Sequence, residues 1–259
     1  MKLFKFVDSR GIDILKNERI KFTPPQEFKD PFEMQFDITD GAAKRFAKQV
    51  IADREKQALR EIPGYKNLSH RQRKKGRMEM VDMSEMAAII KESFRKGGER
   101  QIMDIGVLSL CGCNNSNLMW YHYADGHRGF VVEFDDADEE FQKLGKLSKV
   151  EYAIKQPVYD DLKPVPEFFR FKPNYLLHEN EYRIIDYLRN CTPQKDEKGP
   201  TMFFRSLPRK CVKAIYLGHR IEKSVREEIL QLLRGLDIRK FDTIPSQEDY
   251  THSFREIKS

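Results

Sequence analysis

A chain of 259 residues with a net charge of +6, 39% hydrophobic and 34% charged residues, has the composition of a globular protein with a polar surface. No apolar run approaches the ~20 residues that span a bilayer, and four cysteines (Cys111, Cys113, Cys191, Cys211) are too sparse for a disulfide scaffold. The opening MKLFKFVDSRGIDIL lacks the roughly 7–15-residue apolar stretch of a signal peptide, so a cytoplasmic protein with ordinary reduced thiols is expected.

Taken in chain order, Lys2–Val7 predicts a short strand, Gly11–Lys16 a helix, and Arg19–Thr23 a strand ended by Pro24-Pro25. Asp30-Pro-Phe-Glu33 predicts a turn, with the Asp30 carboxylate accepting backbone N–H groups. From Gly41 to Arg100 apolar residues fall at helical spacing: Phe46, Val50 and Ile51 in one piece, Met80, Met83, Met86, Ala87 and Ile90 in another. Pro63-Gly64 breaks this block and Gly97-Gly98 ends it. The methionine stripe reads as core filler rather than as a cofactor box.

From Ile105 the pattern turns to strands. Gly106–Cys111 is a strand, Asn114 to Asn117 supply a helix cap, Leu118–Ala124 form a short helix, and Gly126 suits its left-handed end. Gly129–Phe134 reads as a buried strand, and Lys149–Tyr159, Glu181–Leu188, Met202–Ser206 and Ala214–Leu217 add more. A helix Glu222–Arg234 and a strand Asp237–Phe241 close the fold. The expectation is a single α+β domain over 1–259 with a mixed or antiparallel sheet, a helical insertion over 40–103 and a loose tail over 245–259.

Charge is uneven. Between Lys44 and Arg100 stand sixteen Lys/Arg and eight Asp/Glu, a balance of +8 against +6 for the whole chain. The densest piece, His70-Arg-Gln-Arg-Lys-Lys-Gly-Arg77, is either a phosphate-contacting stripe for nucleic acid or a solvated helical surface. No aromatic residues interleave with it, so single-strand stacking is not supported.

The most informative stretch is Leu118-Met-Trp-Tyr-His-Tyr-Ala-Asp-Gly-His-Arg-Gly-Phe-Val-Val-Glu-Phe-Asp135. It packs the only tryptophan, two histidines and two tyrosines beside a short apolar strand, and each polar-tipped ring needs a hydrogen-bond partner if buried. Such clusters line small-molecule pockets. His122 and His127 lie five apart across a helix end with no clear third ligand, and Cys111-Gly-Cys113 has the wrong spacing for a zinc knuckle, so no metal site is predicted.

That segment resembles the signature of a large bacterial family of domains of unknown function, number 2971. Leu3-Phe-Lys-Phe6, Phe22-Thr-Pro-Pro-Gln-Glu-Phe-Lys-Asp-Pro-Phe-Glu33 and Glu179-Asn-Glu-Tyr-Arg183 are similar to three further motifs of the family. Lys29 stands where the family has Asn, and Leu176 and Leu177 where it has Trp. The family name carries no activity.

In layout the chain is similar to ADP-ribosyltransferase-like domains: strand–helix–strand at the start, an aromatic and histidine-bearing middle, a late Glu-x-Glu. That likeness implies an NAD-cleaving or ADP-ribosyl-transferring enzyme, acting on a nucleotide or dinucleotide in defence or as a toxin. Glu181 would hold the nicotinamide ribose and stabilise the cationic sugar, Glu179 would orient or deprotonate an acceptor, and His122 would assist. Lys5, Trp120, Tyr123, His127 and Arg183 would hold the NAD cofactor. Glu179 and Glu181, two apart on a strand, would share one face. The same pair also reads as solvent-facing, with Arg183 forming a surface ion pair. An RNA-directed nuclease using His122 and His127, and a non-enzymatic nucleotide sensor, are the alternatives.

Overall fold

The computed structural model describes residues 1–33, 37–69, 71–73, 82–95, 104–159, 169–195, 199–249 and 251–258. The chain forms two compact units. The first comprises Met1–Lys29, Asp104–Tyr152 and Lys172–Ser259; the second comprises Asp30–Met103 and Ala153–Phe171.

The first unit is built on a sheet of eight strands: β1 (Lys2–Val7), β2 (Ile105–Cys111), β3 (Phe130–Asp135), β4 (Leu147–Lys149), β5 (Glu181–Tyr187), β6 (Val212–Leu217), β7 (Arg239–Pro245) and β8 (His252–Glu256). Their order across the sheet is β8-β7-β6-β3-β1-β2-β5-β4. Neighbours are antiparallel except β6 and β7, which run parallel with the helix Lys223–Leu232 in the connection between them. A parallel pair cannot be joined by a tight turn, so the crossover helix is required. The class is therefore α+β with a mixed sheet.

Both faces of this sheet are covered. Leu3, Leu108, Leu110, Val132, Phe134, Ile184 and Ile215 belong to one apolar cluster, and Phe4, Phe6, Cys111, Trp120, Val131, Ala214 and Tyr216 to another. Strands buried on two sides read as continuous apolar runs, which is why Phe130-Val-Val-Glu-Phe134 shows no polar alternation.

Two glycines let the strands close in at one end. A Cβ at Gly129 would lie 2.0 Å from the carbonyl oxygen of Val7, and one at Gly218 would lie 2.2 Å from that of His127. Neither neighbour is a flexible side chain, so the backbone itself would have to move. Gly129→Ala is expected to lower stability by about 2–3 kcal/mol, the usual cost of overpacking. Urea unfolding checks this against Gly41→Ala, whose new Cβ meets the Arg45 side chain no closer than 3.5 Å and should be near neutral.

The second unit carries the helices Asp40–Glu61 and Met83–Arg95, which pack on each other. Thr39 caps the first, its hydroxyl accepting from the Ala42 N–H at 3.2 Å. Ala42, Ala43 and Ala47 are its buried residues, while Phe46, Val50 and Ile51 are half-buried. Asp30 makes the expected turn, accepting the Phe32 N–H at 2.8 Å. The short strands Asp37–Ile38 and Val158–Tyr159 pair in parallel.

The helices expected over 40–103 fall in the second unit, which begins at Asp30 and includes 153–171. Two expectations need correction. The predicted strand Lys149–Tyr159 is three short strands, broken near Pro157, which has no N–H to give a ladder. The tail is ordered: β8 pairs with β7 from Phe241–Glu256 to Pro245–His252. Its residues are mostly polar because an edge strand faces water, and that hid it from a hydrophobicity pattern. Of the basic segment, only Arg71–Arg73 fall within the described residues; His70 and 74–77 lie outside them, as does Met80. No helix among the described residues is long and apolar enough to cross a membrane.

Candidate functional site

Strand β5 opens on a buried ionic centre. Register places Glu181 opposite Cys111 and Arg183 opposite Ser109, so the two side chains share a sheet face while Tyr182 and Ile184 take the other. Glu179 is not on the strand. It ends the turn Asn174–Glu179, and Asn180 then adopts a left-handed conformation (φ 41°, ψ 53°) that delivers the chain to β5. The two carboxylates converge because this kink turns them onto a common cation, not because a strand alternates.

That cation is Lys172. Its ammonium binds Glu179 and lies 2.8 Å from Glu181, and none of the three side chains is more than 5% exposed. Arg183, with no exposure at all, grips Glu181 bidentately, Nε to Oε1 at 2.8 Å and a terminal nitrogen to Oε2 at 3.2 Å. Its guanidinium also lies 5.6 Å from the Phe28 ring centroid. The Tyr123 hydroxyl donates to Glu179 at 2.6 Å, and the backbone N–H of Glu181 donates to the Tyr152 hydroxyl at 2.9 Å. The solvent-facing reading of this pair is thus overturned: Glu179, Glu181 and Arg183 are all buried.

Electrostatics follow from this enclosure. Burial works to raise the Glu181 carboxyl, but Arg183 and Lys172 outweigh it and hold the group at about 2. Burial pulls the Lys5 ammonium down to about 8, with Glu181 opposing and Lys21 assisting. Strands β1 and β2 share one register pair, Phe4 with Cys111, and beyond it the Lys5 ammonium donates to the Ser109 carbonyl at 2.9 Å. Burial pushes the Tyr152 hydroxyl up to about 12.

Cys113 adjoins the centre. Its Sγ lies 3.6 Å from that of Cys111. Hydrogen bonding with Cys111, helped by the Asn180 side chain and the Ser116 and Asn115 backbone, brings its thiol down to about 6, while Cys111 is pushed up. All four cysteines are free, as expected, yet Cys113 is not the ordinary thiol anticipated for it.

The helix Asn117–Tyr123 links this centre to a second one. Ser116 caps it, and positions three apart point inward: Trp120 is fully buried, its indole N–H donating to the Asn114 carbonyl at 2.7 Å, and Tyr123 reaches Glu179. Tyr121 and His122 fall on the exposed side and meet edge to face. The structure therefore brings Lys5, Tyr123, Glu179, Glu181 and Arg183 to one place and leaves His122 on the solvent side of the helix, because one residue along a helix is a turn of about 100°.

Trp120 and His127 serve elsewhere. After the helix, Asp125, Gly126 and His127 all have positive φ (48°, 56° and 70°). The turn is pinned by bonds from the Gly126 N–H to Tyr121, the His127 N–H to Trp120 and the Gly129 N–H to Ala124. It lays the His127 ring parallel to Trp120, centroids 5.7 Å apart. His219, just after β6, and His252, which opens β8, complete a cluster whose ligating atoms all lie within 4.8 Å of one another. Burial lowers all three imidazoles, His127 to about 4, with Arg220 adding to the effect on His127 and His219. Reading the sequence alone pairs His127 with His122 and finds no third ligand. The rings that actually surround His127 are far away in sequence and carry no spacing signal.

No family model matches the chain, and no curated protein or solved structure matches it either.

Proposed function

We propose that the Glu179–Glu181 centre belongs to an enzyme that cleaves the nicotinamide–ribose bond of NAD, in the manner of ADP-ribosyltransferase-like domains. The observation that carries this reading is the convergence of Lys5, Tyr123 and the Glu179–Arg183 segment, three separate stretches of chain, on one centre. Four buried charged groups cost several kcal/mol each to desolvate, and apolar residues would hold a sheet together as well or better. Perturbed charges of this kind concentrate at functional sites.

Within the centre the roles divide by partner. Both oxygens of Glu181 are engaged by cations, Arg183 and Lys172, which makes it a positioning group that fixes Lys172. Glu179 meets a cation at one oxygen only; the other accepts from the hydroxyl of Tyr123, a neutral partner on a residue 46% exposed that a ribose hydroxyl can replace. In this assignment Glu179 is the carboxylate that meets the ribose, the reverse of the order expected from the sequence. As the C–N bond breaks, its electron pair leaves with neutral nicotinamide and positive charge builds on the ribose, where a fixed anion stabilises it most. Water or an acceptor hydroxyl then attacks the sugar carbon and gives its proton to solvent, so that one proton is released for each NAD cleaved. A cytoplasmic setting, and a place in defence or as a toxin, accord with an NAD-consuming activity.

The test is nicotinamide release from millimolar NAD by the full chain, with binding followed by calorimetry. Glu179→Gln is expected to lower release at least ~100-fold with NAD affinity changed less than about threefold, the signature of a contact made mainly in the transition state. Failure to bind NAD, or release unaffected by Glu179→Gln, would sink the proposal. Binding without release would instead favour a nucleotide sensor.

A further inference from the structure

The geometry points to a site for a divalent transition-metal ion of the zinc class at His127, His219 and His252, separate from the carboxylate centre and independent of the reading given to it. Three imidazoles around a tetrahedral ion with metal–nitrogen bonds of ~2.0–2.1 Å hold their ring centroids roughly 5 Å apart. The observed separations are 4.6 Å for His127–His219, 5.0 Å for His127–His252 and 6.1 Å for His219–His252. An apolar packing of rings does not need this triangle, since two of the three could stack on Trp120 without the third.

Unsatisfied polar atoms give the second reason. The Nδ1 atoms of both His127 and His252 are buried and have no hydrogen-bond partner among the described residues. A buried ring nitrogen left without a partner is unfavourable, and a metal ion satisfies two such atoms at once. The third ligand differs: His219 is exposed, so the ion would face water at an open fourth position.

The ligands are also held in place before any ion arrives. The Arg220 N–H donates to the His127 carbonyl at 3.1 Å, and the Gly218 N–H to the Gly129 carbonyl at 3.0 Å, tying the two loops together on either side of the histidines. His252 comes in on the edge strand through its pairing with Pro245. His127 keeps a left-handed backbone that a non-glycine residue adopts only at a cost, strain of the kind found at ligand clamps. The Trp120 ring, stacked on His127, fixes the imidazole plane. Arg220 is the opposing feature, a nearby cation that weakens the site's attraction for metal without entering it.

Three neutral nitrogen ligands suit zinc, cobalt, nickel and copper, and exclude calcium and magnesium, which take oxygen. A zinc ion with three protein ligands and an open position acidifies its bound water, so the site would carry a hydroxide near neutral pH.

The experiment uses the untagged full chain, stripped with chelator and dialysed against buffered zinc, with metal measured by mass spectrometry. One equivalent of zinc at micromolar free metal is expected, together with the visible absorption of a low-symmetry cobalt complex when cobalt is supplied instead. His219→Ala, at an exposed position and therefore a mild change for folding, should weaken zinc binding at least ~100-fold and abolish the cobalt band, and His252→Ala should do the same. His122→Ala should leave both unchanged. Substoichiometric zinc at about 10 μM free metal, or binding that survives both His219→Ala and His252→Ala in protein with unaltered circular dichroism, would overturn the assignment.

Discussion

Replacing Lys172 by methionine should lower the unfolding free energy by about 3–5 kcal/mol at pH 7, the cost of breaking a buried ion pair from one side. Methionine matches the length of the lysine stem, so packing changes little and the loss is electrostatic. Lys172 is the cation shared by Glu179 and Glu181, with both carboxylates within reach of its ammonium and all three side chains almost wholly enclosed. Arg183 continues to neutralise Glu181 in the variant, so the excess charge falls chiefly on Glu179. One consequence separates this account from a mere packing defect. Adding Glu179→Gln to Lys172→Met should restore more than half of the lost stability, whereas Glu179→Gln alone should destabilise the wild type. Urea unfolding of the four proteins at pH 7 measures it. A loss below about 1 kcal/mol, or no recovery in the double variant, would mean that water already neutralises the centre.

The sequence made the sheet legible for a physical reason. Lys2–Val7, Ile105–Cys111 and Phe130–Asp135 are apolar runs too short for helices and too regular for loops, and burial on both faces keeps them so. Lys5 and Arg183 enter the candidate site through the resemblance to ADP-ribosyltransferase-like layouts, and the spacing alone leaves Arg183 equally readable as a surface ion pair; its full burial is what the structure adds. Tyr123 could be nominated with its helix but not distinguished from His122, because a seven-residue helix is too short for periodicity to say which side faces the sheet.

Lys172 could not be found at all. It sits in Phe171–Pro173, a three-residue strand with no pattern of its own, and its meaning comes only from Glu179 and Glu181 arriving from the next turn of chain. His219 and His252 were hidden likewise, since three strand ends meet there through tertiary pairing and no local motif records it. Charge centres assembled by topology leave little trace in spacing. The residues that were legible came from the aromatic cluster at Leu118–Asp135 and from motif resemblance, not from spacing alone.

Glu181 and Lys5 should give the protein a stability that rises with pH in two separate windows. For Glu181 the folded-state carboxyl lies at about 2 against an ordinary 4.5, so the folded protein holds that proton less tightly than the unfolded chain does. Its contribution, of order 3 kcal/mol at ~1.4 kcal/mol per pH unit, is fully present above pH 4.5 and is lost as the pH falls towards 2. For Lys5 the folded-state ammonium lies at about 8 against 10.5, and here the lowered value means that burial disfavours the charge. The penalty, again of order 3 kcal/mol, is fully present below pH 8 and is relieved as the pH climbs to 10.5. Lys5→Met should therefore remove the rise between pH 8 and 10.5, while Arg183 and Lys172 keep most of the acid window in place. At pH 7 the variant should be more stable than the wild type by about 1–2 kcal/mol, because losing the bond to the Ser109 carbonyl takes back about 1 kcal/mol of the relieved penalty. Chemical unfolding at pH 3, 7 and 10 reads all three points, and a Lys5→Met protein less stable than wild type at pH 7 would refute the argument. A lysine that weakens the fold at neutral pH is retained for something other than folding. If Lys5→Met gains stability while losing affinity for NAD, the cation's place beside Glu181 is explained by the phosphates it meets rather than by the strand that carries it.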